Sequence, residues 1–231
     1  MITIYENRKF YGFRDKKPNS SFNDISFIKC SFEGCSISNT KNVKRRSIVR
    51  NMELIKCEVR GVMIGTPIVE NVLVSGLHTH NMLSAYGAVY KHVKLEGNIG
   101  QILLCPFKFP TVSTLKEETA FELANVEYYK AVDWALDISE GRFNDCDIRG
   151  IPAKLIKRDP ASQAVLTREK ALAGNWKKLD LSKTYLSGLI RLFLESGEED
   201  MVIIAGKRSR SYVDMLAGIK MLRDAGVAEP D

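Results

Sequence analysis

The sequence is poor in the residues and runs that mark several large classes of protein. Its five cysteines among 231 residues are an odd number and too few for a disulfide scaffold, so we expect reduced thiols and a cytoplasmic location. No apolar run approaches the ~18 residues of a membrane-spanning helix, and the first residues lack the apolar stretch of a signal peptide. We therefore expect no membrane association. The 45% hydrophobic and 27% charged residues exclude a disordered or collagen-like chain.

The motifs of common enzymes are also missing. The sequence has no Gly-rich phosphate loop, no Cys-x-x-Cys and no Gly-x-Ser-x-Gly. It also lacks a pattern of paired carboxylates like that of polysaccharide-cleaving β-helix enzymes. These absences predict a protein that is not an enzyme and that has neither a cofactor nor a metal.

A five-residue period organises much of the chain. Small or apolar residues take the first and third places of successive blocks, as in Cys30-Ser-Phe32-Glu-Gly and Cys146-Asp-Ile148-Arg-Gly. Across the periodic stretches, 32 of the 40 first and third places are apolar, against 15 of the other 60. A period of five fits neither a helix nor a plain strand. The periodic stretches are 20–39, 47–86, 88–107 and 136–155.

These blocks resemble those of the pentapeptide-repeat family, in which each block forms one side of a square right-handed β-helix and four blocks make a coil. The resemblance implies a mainly β fold: a right-handed parallel β-helix of about five 20-residue coils. It also predicts that all five cysteines, in first or third places, point inward. Blocks that begin with Pro67, Asn98 or Gly141 depart from the family's pattern, and coils 67–86 and 88–107 depart from it most.

Two loop insertions and an N-terminal segment accompany the repeat. Residues 40–46 should bulge outward between two coils, and residues 108–135 form a longer insertion. Within it, Thr114-Leu-Lys-Glu117 predicts a capping box that opens a helix, which gives a helical insertion. Residues 1–19 begin with a strand-like segment that we expect to cap the open end of the β-helix.

The period ends after residue 155, where a different kind of sequence begins. Residues 184–196 and 211–225 predict two helices, each followed by glycine, and residues 201–205 predict a short buried strand. We therefore divide the chain into a repeat region at 1–158 and a C-terminal α/β or α-helical lobe at 159–231 that packs on the β-helix.

Residues 20 apart should stack on the outer surface of a β-helix. This spacing places Ile48 over Ile68 and Met63 over Leu83, which gives an outward stripe of apolar side chains. Such a stripe is normally covered. We expect the insertion or the C-terminal lobe to cover it, and a homodimer or partner interface is the alternative.

The histidines form a candidate polar surface site. His78 and His80 should both point outward, beside Glu58 and Arg60 of the preceding coil. A His-x-His pair with a carboxylate can hold zinc, but a closed zinc site needs four ligands. Because Arg60 would also repel a cation, a solvated pair of histidines is the favoured interpretation.

Two basic clusters are candidate contacts for anions or nucleic acid. One lies in and after the 40–46 loop, and the other follows the predicted strand and precedes a helix. Neither contains interleaved aromatic residues, which single-stranded nucleic acid would favour. The candidate residues are Lys41, Lys44, Arg45, Arg46, Arg50, Lys207, Arg208 and Arg210.

The sequence favours a non-catalytic interaction protein that presents a rigid β-helix surface to a protein partner, with a homodimer as one form of that partnership. Some pentapeptide-repeat proteins mimic DNA, which requires a strongly acidic outer surface. The periodic stretches here are together close to neutral and the basic residues lie mostly outside them, so we reject DNA mimicry. The alternative function is a nucleic-acid or polyanion binder that uses loops 41–46 and 207–210.

Overall fold

A computed structural model describes residues 1–15, 17–106 and 113–229 of the chain. Most of its regular structure is β, as predicted. The strands are β1 (Thr3–Glu6), β2 (Lys9–Tyr11), β3 (Ser21–Ile28), β4 (Ser31–Glu33), β5 (Ser36–Ile37), β6 (Ile48–Arg60), β7 (Met63–Ile64), β8 (Ile68–Thr79), β9 (Leu83–Tyr86), β10 (Val89–Cys105), β11 (Leu136–Asp137), β12 (Gly141–Ile148), β13 (Ile156–Lys157), β14 (Gln163–Thr167) and β15 (Asp200–Ile204).

The α-helices are α1 (Leu115–Tyr129), α2 (Arg168–Leu172), α3 (Leu186–Ser196) and α4 (Tyr212–Asp224), and three short 3₁₀ turns lie at Val43–Arg45, Ala153–Leu155 and Asn175–Lys178. The capping box predicted for α1 is confirmed, since Thr114 accepts from the Glu117 N–H and Glu117 accepts from the Thr114 N–H. The first part of the predicted insertion, residues 108–112, lies outside the described residues, as does Phe107.

Strands β1 to β13 form one large sheet, and its strand pairs are parallel. The sheet is curled into a half-barrel, because β10 pairs with β8 along one part of its length and with β9 along another. Partners lie about one coil apart in sequence: Met52 pairs with Val72, and Val72 with Val93. The predicted stacking of Ile48 on Ile68 is confirmed.

Left-handed backbone recurs at the fifth place of the five-residue blocks. A positive φ interrupts the extended chain and turns it, so a long strand such as β6 bends twice along its length. Asp, Asn and Gly tolerate this conformation best, which explains their frequency at these places. The fifth places with positive φ are Asp24, Lys29, Gly34, Asn51, Lys56, Gly61, Asn71, Gly76, His92, Gly97 and Gly150.

The predicted frame is wrong by one residue in parts of the third and fourth coils. Leu83 and Ala85 are buried, whereas Met82, which the frame placed inside, is 41% exposed. The pairing between β10 and β8 shifts between Glu96 and Ile99. For the same reason Met63 pairs with Ser84 instead of Leu83, so that half of the predicted apolar stripe is absent.

The cysteines follow this change of frame. Four of them are buried as predicted, and burial raises the pKa of the Cys57 thiol to about 11. Cys105 is half-buried, because Ile102 and Leu104 take the inward positions around it. The prediction that all five cysteines point inward is therefore wrong for Cys105.

The N-terminal segment adds a partial coil to the stack. Thr3 pairs in parallel with Ile25, and Phe10 with Phe32. Asn7 has a φ of 53°, like the fifth places of later blocks. The sequence predicts that this segment caps the open end of the β-helix. Instead it extends the sheet, and the new outer edge belongs to β1 and β2.

The C-terminal residues form a small α/β lobe with its own core. Strands β14 and β15 pair antiparallel, and Gly197 and Gly226 follow helices α3 and α4 with positive φ, as predicted. Along β15 the side chains alternate. Met201 and Ile203 join the core of the lobe, while Val202 and Ile204 join the core of the large sheet.

The lobe covers the C-terminal end of the curled sheet. Gly206 lies so close to it that a Cβ there would be 2.9 Å from the carbonyl oxygen of Phe143. The buried amide of Gln163 donates to the carbonyl of Ile138, and Ala153 N–H donates to Asp200. Backbone groups at this end of the stack therefore find partners in the lobe. Within the described residues, no helix is long and apolar enough to cross a membrane.

The positive φ at a fifth place can be tested without a steric clash. At Gly76 the nearest atom to an added Cβ would be Lys56 Cα at 3.8 Å, so Gly76→Ala costs backbone strain alone. We expect it to lower the free energy of unfolding by about 1 kcal/mol in urea denaturation. The matched control is Gly188→Ala, at an exposed position of helix α3. This substitution should raise the free energy of unfolding by ~0.5–1 kcal/mol. Equal effects of the two substitutions would contradict the role of the fifth place.

Candidate functional site

The N-terminal edge of the large sheet has no covering element among the described residues. Strand β1 pairs with β3 and β2 pairs with β4, so the opposite side of each strand has no strand beside it in that part of the chain. All four residues of β1 are exposed. Edge strands carry free N–H and C=O groups that can pair with another chain. This edge is therefore a ready site for main-chain pairing.

Apolar side chains are concentrated at the same edge. Exposure of one large apolar residue is ordinary, but a contiguous group on one edge marks a contact surface. The exposed fraction is 63% for Ile4, 65% for Tyr11 and 46% for Phe13. The exposed apolar residues of the N-terminal edge are Met1, Ile2, Ile4, Tyr5, Tyr11 and Phe13.

Two aromatic groups lie just inside this edge. Phe10 stacks on Phe32 with ring centroids 5.1 Å apart, and Tyr5 stacks on Phe27 at 5.5 Å. On the other side, Phe13 meets Phe22 edge to face at 5.8 Å. These rings line the entrance to the interior of the curled sheet.

Behind the rings lies an apolar cavity of about 480 Å³. Its walls are the inward side chains of successive coils, from Phe22 near the edge to Leu136 deep in the stack. Inward residues near the edge, such as Val49 and Leu54, are only half-buried, whereas Leu136 is fully buried. The cavity therefore opens toward the N-terminal edge and is closed at its deep end.

A basic groove of about 450 Å³ runs along one outer corner at the same end. It is lined by the cations Arg8, Lys9, Lys29 and Lys56, all exposed, and its lining includes one carboxylate, Glu58. The lysines at 29 and 56 occupy fifth places of neighbouring coils, so the corner that turns the chain also stacks positive charges. Together with the apolar edge, this groove forms the N-terminal surface, which we define as residues 1–15 with Lys29 and Lys56.

The predicted polar site is assembled as expected. Glu58 pairs in register with His78, and the rings of His78 and His80 are 4.5 Å apart. His80 Nδ1 lies 3.1 Å from an Arg60 nitrogen, and His80 Nε2 lies 3.3 Å from Glu58. Both nitrogens of His80 thus have protein partners. No group of three or more His, Cys, Asp or Glu suited to a metal occurs among the residues described.

Arg46 differs most from its predicted role, because it is buried rather than available to an anion. Only 6% of it is exposed. Its Nη2 donates to the Gly87 carbonyl at 3.1 Å and to Asn125 Oδ1 at 2.5 Å, and its guanidinium lies 4.8 Å from the Phe121 ring. Desolvation lowers the pKa of Arg46 to about 10. Arg46 therefore fixes helix α1 to the sheet.

Three more of the predicted anion contacts are held by the protein itself. Arg50 donates to Glu70 at 2.6 and 2.8 Å. Lys207 lies 2.8 Å from Asp159, and Arg208 donates to the Ile99 carbonyl at 3.4 Å. The ion pair of Lys207 lies within the lobe, whereas the hydrogen bond of Arg208 joins the lobe to the large sheet. The remaining predicted contacts are exposed: Lys41, Lys44, Arg45 and Arg210.

Sequence reasoning missed the N-terminal surface, although a signal was present. Thr3, Tyr5 and Phe10 obey the same five-residue frame as the later blocks, with Asn7 at a fifth place. Arg8 stands where the frame expects an apolar first place, and this hid the pattern.

No known protein family, curated protein or solved structure gives a significant match to this chain. The resemblance to the pentapeptide-repeat family therefore stays an interpretation of the sequence.

The structural role of Arg46 gives a stability prediction. Arg46→Ala leaves the Gly87 carbonyl and the Asn125 amide without their buried donor, and should lower the free energy of unfolding by about 2–3 kcal/mol. The matched control, Lys44→Ala with Arg45→Ala, changes exposed side chains and should stay within ~0.5 kcal/mol of the unmodified protein. Urea denaturation measures both. If Arg46→Ala were as mild as the control, the guanidinium would not be holding α1.

Proposed function

We propose that this chain is a non-catalytic interaction protein that binds a protein partner at its N-terminal surface. The observation that carries the proposal is the contrast between the two ends of the stack. The lobe supplies partners to the C-terminal end, whereas β1 and β2 carry exposed apolar side chains on an edge that no described strand flanks.

The charge of this surface favours an acidic partner. Within residues 1–15, Arg8, Lys9 and Arg14 stand against Glu6 and Asp15, and Lys29 and Lys56 add two positive charges at the same end. A second copy of the chain would bring like charges together, which opposes association. An extended acidic segment that adds a strand to β1 and places apolar side chains against Ile4 and Tyr11 satisfies both features.

The proposal includes a closed right-handed β-helix of the pentapeptide-repeat type. It is supported by the recurrence of positive φ at many of the fifth places and by partners about 20 residues apart, as with Arg50 and Glu70. A rigid stack of this kind holds its terminal edge in one geometry. Binding a partner therefore costs little conformational entropy at this edge.

Variants that add negative charge to the edge test where the partner docks. The double variant Ile4→Glu/Tyr11→Glu places two carboxylates on the edge, and should reduce capture of the partner from native lysate at least tenfold. The matched control, Leu192→Glu/Val213→Glu, changes two exposed apolar residues on the helices of the lobe. Capture is compared by quantitative mass spectrometry with the protein immobilised by either terminus.

Equal capture by both double variants would refute the edge as the docking site. Cross-links from captured protein that map to the lobe instead of β1 would refute it as well. Concentration-dependent self-association that the edge variant abolishes would replace the acidic partner with a homodimer.

A second candidate function, binding of nucleic acid or another polyanion, is favoured by the basic groove at Arg8, Lys9, Lys29 and Lys56. In this case affinity for a single-stranded DNA probe should fall steeply with salt, and Lys29→Ala/Lys56→Ala should make the log–log slope shallower by about 1–2. Lys44→Ala/Arg45→Ala, on the 41–46 loop, is the comparison variant and should change the salt slope less. Binding that is undetectable or insensitive to salt would exclude this function.

A further inference from the structure

We propose that the cavity inside the curled sheet binds the alkyl chain of an anionic amphiphile, such as a fatty acid, with its head group at the N-terminal edge. This site is distinct from the docking edge, because its ligand enters the interior of the sheet rather than pairing with β1.

The cavity exists because side chains in one inward row are small. Phe22, Val49, Val69 and Tyr90 stack in register on successive coils. The two valines lie between aromatic residues and are half-buried, while Tyr90 is 7% exposed. Space is therefore left at the level of the valines, and the larger Tyr90 closes it below.

A second inward row shows the depth of the cavity. It consists of Tyr5, Phe27, Leu54, Val74 and Leu95, again paired coil by coil. Because neighbouring strands lie ~4.8 Å apart, the five levels span roughly 19 Å. The exposed fraction falls from 38% at Tyr5 to 9% at Val74 and 7% at Leu95. The space is thus deep, and it narrows inward from one open end.

The walls of the cavity select an apolar occupant. Of the 28 residues that line it, only Tyr5, Cys35, Ser36, Met52 and Tyr90 carry a side-chain oxygen or sulfur, and the thiol and thioether are weak hydrogen-bonding groups. A polar ligand would lose its hydrogen bonds to water without replacement. Cavities lined in this way stay dry and take apolar molecules.

The entrance selects the head group. Exposed Arg8, Lys9 and Arg14 lie on the N-terminal segment, against the single exposed carboxylate of Glu6, and the carboxylate of Asp15 is already engaged by Ser38 N–H and Ser47. An anionic head at the entrance would therefore meet cations.

Isothermal titration calorimetry with dodecanoate below its micellar concentration tests the proposal. We expect saturable binding near one equivalent, with the negative heat-capacity change of apolar burial. Val49→Phe/Val69→Phe should weaken binding at least tenfold, because it places two phenylalanine rings below Phe22 and fills the space that the valines leave. Val213→Phe makes a valine-to-phenylalanine change at an exposed position of helix α4, and this variant should bind like the unmodified protein. Leu54→Phe is a milder second filling variant, to be used if the double variant does not fold.

The head group is tested separately with dodecyltrimethylammonium, which has the same chain and the opposite charge. It should bind more weakly than dodecanoate, and Arg8→Glu/Arg14→Glu should reverse that order. Equal binding of dodecanoate by the filled and control variants would overturn the cavity site, as would no binding by the unmodified protein. The uncharged edge variant Ile4→Ser/Tyr11→Ser removes apolar side chains from the edge without adding negative charge at the entrance. It should still bind dodecanoate, and the filled variant should still capture the protein partner, so either proposal can fail alone.

Discussion

A parallel stack of strands satisfies the backbone of every coil except the first and the last, and this constraint governs the whole molecule. Each interior strand finds its partners one coil away on both sides. At the C-terminal end the lobe supplies the missing partners through Gln163 and Asp200. At the N-terminal end β1 and β2 have no such cover in the described chain. The two ends of the stack therefore differ: the lobe covers the C-terminal end, and no described element covers the N-terminal end.

The residues that turn the chain also determine the outer surface. Because positive φ favours Asn and Asp, fifth places stacked at one corner form a hydrogen-bonded ladder, in which Asn51 donates to Asp24 and Asn71 donates to Asn51 at 3.0 and 3.2 Å. At the next corner the same places hold Lys29 and Lys56, which contribute to the basic groove. Positive φ costs some backbone strain at a lysine, and at this corner it stacks the two positive charges along the groove.

Much of the repeat could be predicted from the sequence, and the exceptions have physical causes. The five-residue frame can be assigned where only one of the possible alignments places apolar residues inside, as at Met52 and Val72. It fails near Leu83 and Leu104, because neighbouring residues are apolar in both registers and only the shift in β10 selects one. The burial of Arg46 depends on Gly87 and Asn125, which are distant in sequence, so no local pattern indicates it. The candidate site was hidden because Arg8 interrupts the first turn of the repeat.

Amide hydrogen exchange of the free protein tests most directly whether the N-terminal end is uncovered. Exchange reports local opening, which is easiest where one side of a strand has no partner. The account predicts that protection is lowest in β1, rises in β3 and is highest in β6 and β8, which lie inside the stack. Protection in β1 equal to that in β8 would contradict it, because the edge would then already be covered in the free protein.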